Sequence, residues 1–288
     1  MVSHMRLKII FALLAALQIL LFPQMSPGAK QISLANSDAA LSNDVFAIFN
    51  NPAGLAQMNW REIGVYYSPA PFGLKELSNA YAAYSQPLFS GTVAIGGMTY
   101  GFDLYKESRV LVAYSYNYLN KFFAGAAVNY HSVSIKNYGF DNAFYINAGL
   151  LLYIENYLRW GASITNINRA TFGNEKNQIP VIYNTGISYD VLDNLALCAG
   201  IEKETSFSFS FKVGLEYELI KYFTVRTGFS NEPVKYTAGV GITYSYFNLD
   251  YAVFNHQDLG LTHQIGIFVS FKDDESRSVA IKKFLFSK

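Results

Sequence analysis

Residues 206–219 alternate strictly between two kinds of side chain. Every odd position in this stretch is apolar or aromatic, and every even position is small or polar. A β-strand places the two sets on opposite faces, because successive side chains point to opposite sides. The same pattern recurs at 109–118, 158–165, 236–245 and 263–271, and no stretch after residue 29 approaches 18 uninterrupted apolar residues. The chain is therefore predicted to be all-β, with two chemically different faces.

The composition indicates that the apolar face meets lipid. The chain is 51% hydrophobic, 16% aromatic and 15% charged, which is too apolar for a disordered protein. Its net charge of +1 argues against a nucleic-acid partner, and the single Cys198 excludes a disulfide scaffold. A membrane protein that lacks spanning helices must be a closed barrel, because unpaired sheet edges are not tolerated in lipid. We expect a barrel in the bacterial outer membrane, in contact with outer-membrane lipid.

Residues 1–29 have the features of a Sec-type signal peptide. Arg6 and Lys8 give a cationic start, and residues 9–22 are apolar apart from Gln18. Small residues follow, which places cleavage near Gly28 or Ala29. The alternative is a membrane-spanning helix, but the run of 14 residues is shorter than the roughly 20 that a span requires.

Turn spacing predicts 14 strands within a barrel over residues 60–271. The connections at 119–120, 155–156 and 192–193 are tight, whereas those at 69–77 and 167–178 are long. This is typical of outer-membrane barrels, in which short periplasmic turns alternate with longer outer loops. The predicted spans are 60–68, 78–86, 91–102, 107–118, 121–135, 142–153, 157–166, 179–190, 194–203, 206–218, 221–229, 235–245, 247–254 and 261–271.

Two segments do not follow the alternation. In residues 30–59, Ser42, Asn43 or Asp44 could cap a short helix over 45–49 that Asn51-Pro52 would end. This segment could plug the lumen, lie under its periplasmic mouth, or simply tether the first strand. The tail at 272–288 is expected on the periplasmic side, either as a short amphipathic helix or as a disordered end.

Strand parity predicts which charged side chains face the lumen. A charge facing lipid at mid-membrane costs about 2–4 kcal/mol, so inward placement is expected. Such charges could pair across the lumen and brace it, or they could form a polar constriction that selects solutes. The predicted lumen charges are Arg109, Arg159, Glu202, Lys212, Glu216, Arg226 and Asp250.

The sequence offers no pattern typical of an enzyme. The chain has four His, of which His131 and His263 are expected near strand ends at the interfaces. None accompanies a Ser or Cys in a nucleophile motif, and no His, Cys and Asp cluster has the spacing of a zinc site. We therefore expect neither catalysis nor a cofactor or metal.

Residues 39–56, Ala-Ala-Leu-Ser-Asn-Asp-Val-Phe-Ala-Ile-Phe-Asn-Asn-Pro-Ala-Gly-Leu-Ala, resemble the N-terminal signature of FadL/PorV-type outer-membrane barrels. The resemblance implies a 14-stranded barrel with an N-terminal plug in or near the lumen. It also implies one of two functions. FadL-like members passively transport small hydrophobic or amphipathic molecules, whereas PorV- and PorQ-like members are accessory barrels for type IX protein secretion and surface assembly. A hydrophobic small molecule or secretion-system proteins are the corresponding partners. The implied plug or gate residues are Asp44, Phe46, Phe49, Asn51, Pro52, Ala53 and Gly54.

Overall fold

The computed structural model describes residues 27–173, 177–256, 259–272 and 275–287. Fourteen antiparallel strands form a closed barrel, in which each strand pairs with its neighbours along the chain and the last strand pairs with the first. The predicted fold class is therefore confirmed. The predicted signal peptide lies outside the described residues, apart from its last three positions.

The strand bounds follow the predicted spans closely. The barrel strands are β1 Glu62–Ser68, β2 Asn79–Leu88, β3 Gly91–Phe102, β4 Tyr105–Tyr118, β5 Phe122–Ile135, β6 Gly139–Glu155, β7 Leu158–Thr165, β10 Ile182–Leu192, β11 Leu195–Glu204, β12 Phe209–Ile220, β13 Phe223–Asn231, β14 Val234–Tyr244, β15 Phe247–His256 and β16 Gly260–Ser270. A hairpin that is not part of the barrel sheet, β8 Thr171–Phe172 and β9 Asn177–Gln178, occupies the loop predicted at 167–178. β12 begins three residues later than predicted, because the amide of Phe207 donates to the carbonyl of Glu204 in a turn.

The alternation places apolar side chains on the outside of the barrel. On β12, Phe211 is 54% exposed and Val213 is 51% exposed, whereas Ser210 and Lys212 are buried. A water-soluble protein would show the reverse, with its apolar face buried. The outward apolar face is the one expected to contact lipid hydrocarbon.

The N-terminal segment lies inside the barrel. It contains α1 Ala29–Ser33, α2 Ala47–Asn50 and a 3₁₀-helix over Pro52–Gln57. Its first part lines the wall formed by β10–β16, and its second part lines the wall formed by β1–β6. α2 is shorter than the helix predicted over 45–49. Neither Ser42 nor Asn43 caps it, and instead Asp44 Oδ1 accepts from the Phe46 amide at 2.9 Å.

Inward-facing glycines provide the room for this segment. A Cβ placed on Gly161 would lie 2.2 Å from the carbonyl oxygen of Ala39, and one on Gly149 would lie 2.1 Å from Asn51 Oδ1. Only residues without a side chain allow such close approach of two backbones. The glycine belt comprises Gly64, Gly96, Gly125, Gly149, Gly161, Gly186, Gly200, Gly214, Gly228, Gly239 and Gly266.

The chain ends in a helix, α3 Arg277–Phe286, which crosses the barrel end with the tight turns. Ser276 Oγ accepts from the Val279 amide and caps its first turn. At the far end, Asn120 Nδ2 in the β4–β5 turn donates to the carbonyl of Leu285 at 3.1 Å. Ile281 and Leu285 form the buried face of the helix. Among the described residues, no helix is both long enough and apolar enough to span a membrane.

Candidate functional site

Buried ion pairs fill the half of the lumen next to the tight turns, which we assign as the periplasmic half. Arg226 lies at their centre: its Nε is 2.6 Å from Glu216 Oε2 and its Nη1 is 2.7 Å from Asp250 Oδ1. Lys30 of the N-terminal segment lies 3.8 Å from the same Glu216 oxygen. We call the pairs in this half the periplasmic network.

The periplasmic network extends to the C-terminal helix. Arg159 pairs with Asp190, and Lys282 of α3 lies 3.2 Å from the other carboxylate oxygen of Asp190. Lys282 also lies 3.1 Å from Asp193 in the β10–β11 turn. α3 is therefore held to the barrel by charge as well as by its apolar face.

Glu62, the first residue of β1, joins the barrel, the N-terminal segment and α3. Its carboxylate accepts from the Val45 amide at 2.8 Å and from Ser270 Oγ at 2.6 Å. It also forms an ion pair with Arg277 of α3, at 2.7 Å from Nη2. Arg277 Nη1 in turn donates to the carbonyl of Asn43. All three parts of the molecule thus share one buried carboxylate.

A cavity of about 80 Å³ lies within the periplasmic network. Its lining includes Lys30, Asp44 and Arg277 together with several network residues. Burial raises the pKa of Asp44, although the Lys30 ammonium opposes the shift. Asp44 Oδ2 also accepts from Gln31 Nε2 at 2.7 Å. A volume of this size holds a few water molecules, each of which occupies about 30 Å³ in the liquid.

Four of the predicted gate residues fix the course of the N-terminal segment. Asn51 Nδ2 donates to the carbonyls of Ala39 and Leu150, at 2.8 and 3.0 Å. The carbonyl of Pro52 accepts from Ser115 Oγ. Ala53 donates its amide to Asn51 Oδ1, and Gly54 approaches the backbone of Ser42 too closely for any side chain. These contacts position the segment, and the predicted role as a gate remains a prediction.

Of the other three predicted gate residues, Asp44 lines the cavity described above, and Phe46 and Phe49 belong to an aromatic cluster against β1, β2 and β16. The Phe46 ring lies 5.2 Å from Phe268 and 6.3 Å from Tyr66. Phe49 packs edge-on against Tyr81 at 5.2 Å. Edge-to-face pairs at these distances stabilise aromatic clusters beyond the area that they bury.

Arg109 lies at the edge of the aromatic cluster, apart from the other predicted lumen charges. Its guanidinium carbon lies 5.4 Å from the centre of the Phe49 ring, and its Nη1 donates to Tyr145 Oη at 2.8 Å. No carboxylate of the described residues lies within 4.0 Å of it. The remaining predicted pair, Lys212 and Glu202, are 2.7 Å apart on the opposite wall.

His131 lies inside the barrel beside Arg109, not at an interface as predicted from sequence. Its Nε2 is 3.0 Å from Glu107 Oε2, and Tyr105 Oη donates to the other oxygen of Glu107 at 2.6 Å. The period of two in β4 and β5 could have found this pair, because positions 107, 109 and 131 all share the inward parity of their strands. His263 does face outward, and its Nδ1 is 2.5 Å from Tyr251 Oη.

The lipid-facing side of the barrel has an apolar depression of about 460 Å³. Small residues on β2 and β3, Ala80, Ala82 and Gly97, leave this space in a wall that elsewhere carries large side chains. Ile265 and Ile267 of β16 line its other side. On the inner side of the same strands lies the aromatic cluster, so little more than the wall separates the two. The alternation of the sequence does not predict this depression.

No protein-family profile and no curated protein sequence matches the chain. Solved structures do match it. The toluene transporter TbuX of Ralstonia pickettii is 14% identical, with a TM-score of 0.60 over 84% of this chain and 97% of that one. The deltaS2 mutant of the monoaromatic hydrocarbon channel TodX is 11% identical, with a TM-score of 0.63 over 86% and 99%. A FadL homologue of Pseudomonas aeruginosa is 11% identical, with a TM-score of 0.57 over 85% and 97%.

The chain has the fold of the FadL-type outer-membrane barrels. This confirms the FadL half of the resemblance at the level of fold, and the resemblance to PorV and PorQ stays a prediction. Among the described residues, no group of three or more His, Cys, Asp or Glu side chains could hold a metal ion.

Proposed function

We propose that this protein is a passive channel of the outer membrane for small hydrophobic molecules, which leave the barrel sideways through its wall. The observation that carries the proposal is the apolar depression on β1–β3 and β16, backed by the aromatic cluster. The proposal is also supported by the fold that this chain shares with proteins described as a toluene transporter and a monoaromatic hydrocarbon channel.

The periplasmic half of the lumen argues against an axial route for such molecules. An apolar molecule on the axis would have to pass the periplasmic network and displace α3, whose Arg277 is paired with the buried Glu62. Separating buried charges from their partners costs about 3–5 kcal/mol for each pair. On the sideways route the molecule meets aromatic and aliphatic side chains and ends in the lipid, the solvent that an apolar molecule prefers. Passage also requires two of the strands β16, β1, β2 and β3 to separate locally, because they are paired without interruption here.

The N-terminal segment would act as the gate of this route. Phe46 and Phe49 contribute two of the rings that stand behind the wall, next to Tyr66 and Tyr81. Rotation of the Phe46 and Phe49 rings would clear the inner face of the wall without moving the backbone contacts of Asn51 and the residues after it, and the wall strands would then have to part. The gate roles of Phe46 and Phe49 follow from the proposal.

Filling the depression tests the proposal. The variant Ala82→Phe places a ring in the depression, whereas Ala199→Phe places the same ring on the outward face of β11, on the far wall. We expect Ala82→Phe to lower the uptake of radiolabelled toluene by about tenfold, since a barrier higher by about 1.4 kcal/mol suffices. Ala199→Phe should leave uptake unchanged. Equal uptake by the two variants and the wild-type protein would overturn the sideways route.

The alternative of an accessory barrel for type IX secretion or surface assembly remains a prediction, since no feature of the described residues favours it. That the protein is a channel and not an enzyme is likewise part of the proposal. The proposal also includes the location of the protein in the bacterial outer membrane and the cleavage of its signal peptide.

A further inference from the structure

We propose that Arg109 is a binding site for the carboxylate of an aromatic acid, so that the channel accepts aromatic carboxylates as well as apolar molecules. The inference rests on the proposed function, because it names a class of molecule that would use the same lumen. Arg109 differs in its partners from most other inward-facing cations of the barrel strands.

Three of these cations have carboxylate partners. Arg159, Lys212 and Arg226 each lie within 4.0 Å of an aspartate or glutamate oxygen. In the part of the chain that the structure describes, only Arg109 and Lys235 among the inward-facing strand cations do not. A partly buried cation with no counter-ion loses hydration without regaining it from the protein. An anionic ligand would supply the missing charge.

Glu107 attracts Arg109 electrostatically but forms no direct ion pair with it. It lies two residues away on the same face of β4, but both its oxygens are engaged, one by Tyr105 Oη and one by His131 Nε2. The only hydrogen bond of the Arg109 guanidinium in the described protein is the one from Nη1 to Tyr145 Oη, and its Nε is buried without a partner. The guanidinium therefore keeps donors for an oxygen ligand.

His131 supplies a second unpartnered group at the same level. The register of the barrel places Met98, Arg109 and His131 side by side on β3, β4 and β5. His131 is 8% exposed, and its Nδ1 has no hydrogen-bond partner. Two side chains with free hydrogen-bonding capacity therefore stand next to each other on one stretch of inner wall.

The surroundings of Arg109 favour an aromatic body on the ligand. Phe49, Tyr81 and Tyr145 surround it, and Phe49 meets Tyr81 edge-on. Met98 and Tyr100 face inward on the neighbouring strand, and both are partly exposed. A planar ring can pack there against aromatic faces while its carboxylate reaches the guanidinium.

Equilibrium binding of benzoate and of toluene to the full-length protein in detergent tests this inference. We expect saturable benzoate binding to the wild type, weakened by about tenfold or more in Arg109→Gln, because a charge-assisted contact is lost. Toluene binding should stay within about twofold, since it uses no charge. The matched control is Lys235→Gln, which removes the other unpaired cation, near Phe254, and should change neither affinity.

The outcomes separate the two proposals. Toluene binding without saturable benzoate binding, or benzoate binding that Arg109→Gln leaves unchanged, overturns the aromatic-acid site and leaves the channel intact. An equal loss of benzoate affinity in Lys235→Gln also overturns it, because the effect would then reflect net charge. Absence of binding of both molecules, with no effect of Ala82→Phe on uptake, counts against the proposed function itself. Unchanged thermal unfolding of Arg109→Gln establishes that any loss is local.

Discussion

The two halves of the lumen differ in whether their inward-facing arginines have carboxylate partners. In the periplasmic half, Arg226 has two carboxylate partners, and the ion pairs link the barrel to the N-terminal segment and to α3. Around Arg109, aromatic rings surround a cation that has no carboxylate within ion-pair distance among the described residues. Paired charges hold parts of a protein together, whereas an unpaired charge among rings is available to a ligand. This difference is the basis for our proposals that the first region is structural and that the second binds the ligand.

Removing one arginine from each region should separate them most clearly. Arg226→Gln leaves the buried Asp250 without its partner and Glu216 with only the more distant Lys30, so we expect a loss of about 3–5 kcal/mol in the free energy of unfolding. Arg109→Gln leaves no carboxylate without a partner, and we expect a change below about 1 kcal/mol. Denaturant unfolding in detergent measures both. Equal losses would show that Arg109 is as structural as Arg226.

Asp38 is a carboxylate of the N-terminal segment that should make stability depend on pH. Burial raises the pKa of Asp38 from 3.8 to about 6, although the Lys30 ammonium opposes the shift. A raised pKa in the folded state means a stabilising contribution that is fully present below pH 3.8 and is lost as the pH rises through about 6.

The variant Asp38→Asn should remove this dependence. We expect it to be more stable than the wild type at pH 8, by up to roughly 3 kcal/mol for a shift of about two units. Near pH 4 the two proteins should be alike. Thermal unfolding at both pH values checks this, and a constant difference between the proteins at all pH values would contradict it.

A pair of glycine variants compares the packing on the inner side of the barrel wall with that in the lipid-facing depression. Gly161→Ala brings a Cβ to 2.2 Å from the Ala39 backbone, so the N-terminal segment must shift at a cost of about 1–3 kcal/mol. Gly97→Ala in the wall depression meets no atom closer than 3.6 Å and should change stability by less than about 0.5 kcal/mol. Limited proteolysis of the N-terminal segment measures the shift. Protection of this segment in Gly161→Ala equal to that in the wild type would contradict the close fit.

The sequence predicts the barrel well because its signal is local. Alternation in a strand depends only on which side meets lipid, so all 14 barrel strands overlap their predicted spans. The ends are less certain where a turn continues the pattern, as at Phe207, which alternates with its neighbours yet lies in the turn before β12.

The candidate site is harder to predict because its contacts are distant in sequence. Parity places Arg109 and Arg226 alike in the lumen, and only the register across several strands gives Arg226 its Asp250 and leaves Arg109 with Tyr145. The glycine belt was also missed, since each glycine reads locally as a weak point of a strand. Its meaning appears only when the N-terminal segment is placed against it.

The contacts of α3 depend on the assembled barrel. The helix follows β16 and contacts the β4–β5 turn, the β10–β11 turn and, through Arg277, Asn43 of the N-terminal segment. These partners come together only once β16 has paired with β1 and the N-terminal segment is enclosed. The complete set of α3 contacts therefore depends on both the closed barrel and the enclosed N-terminal segment.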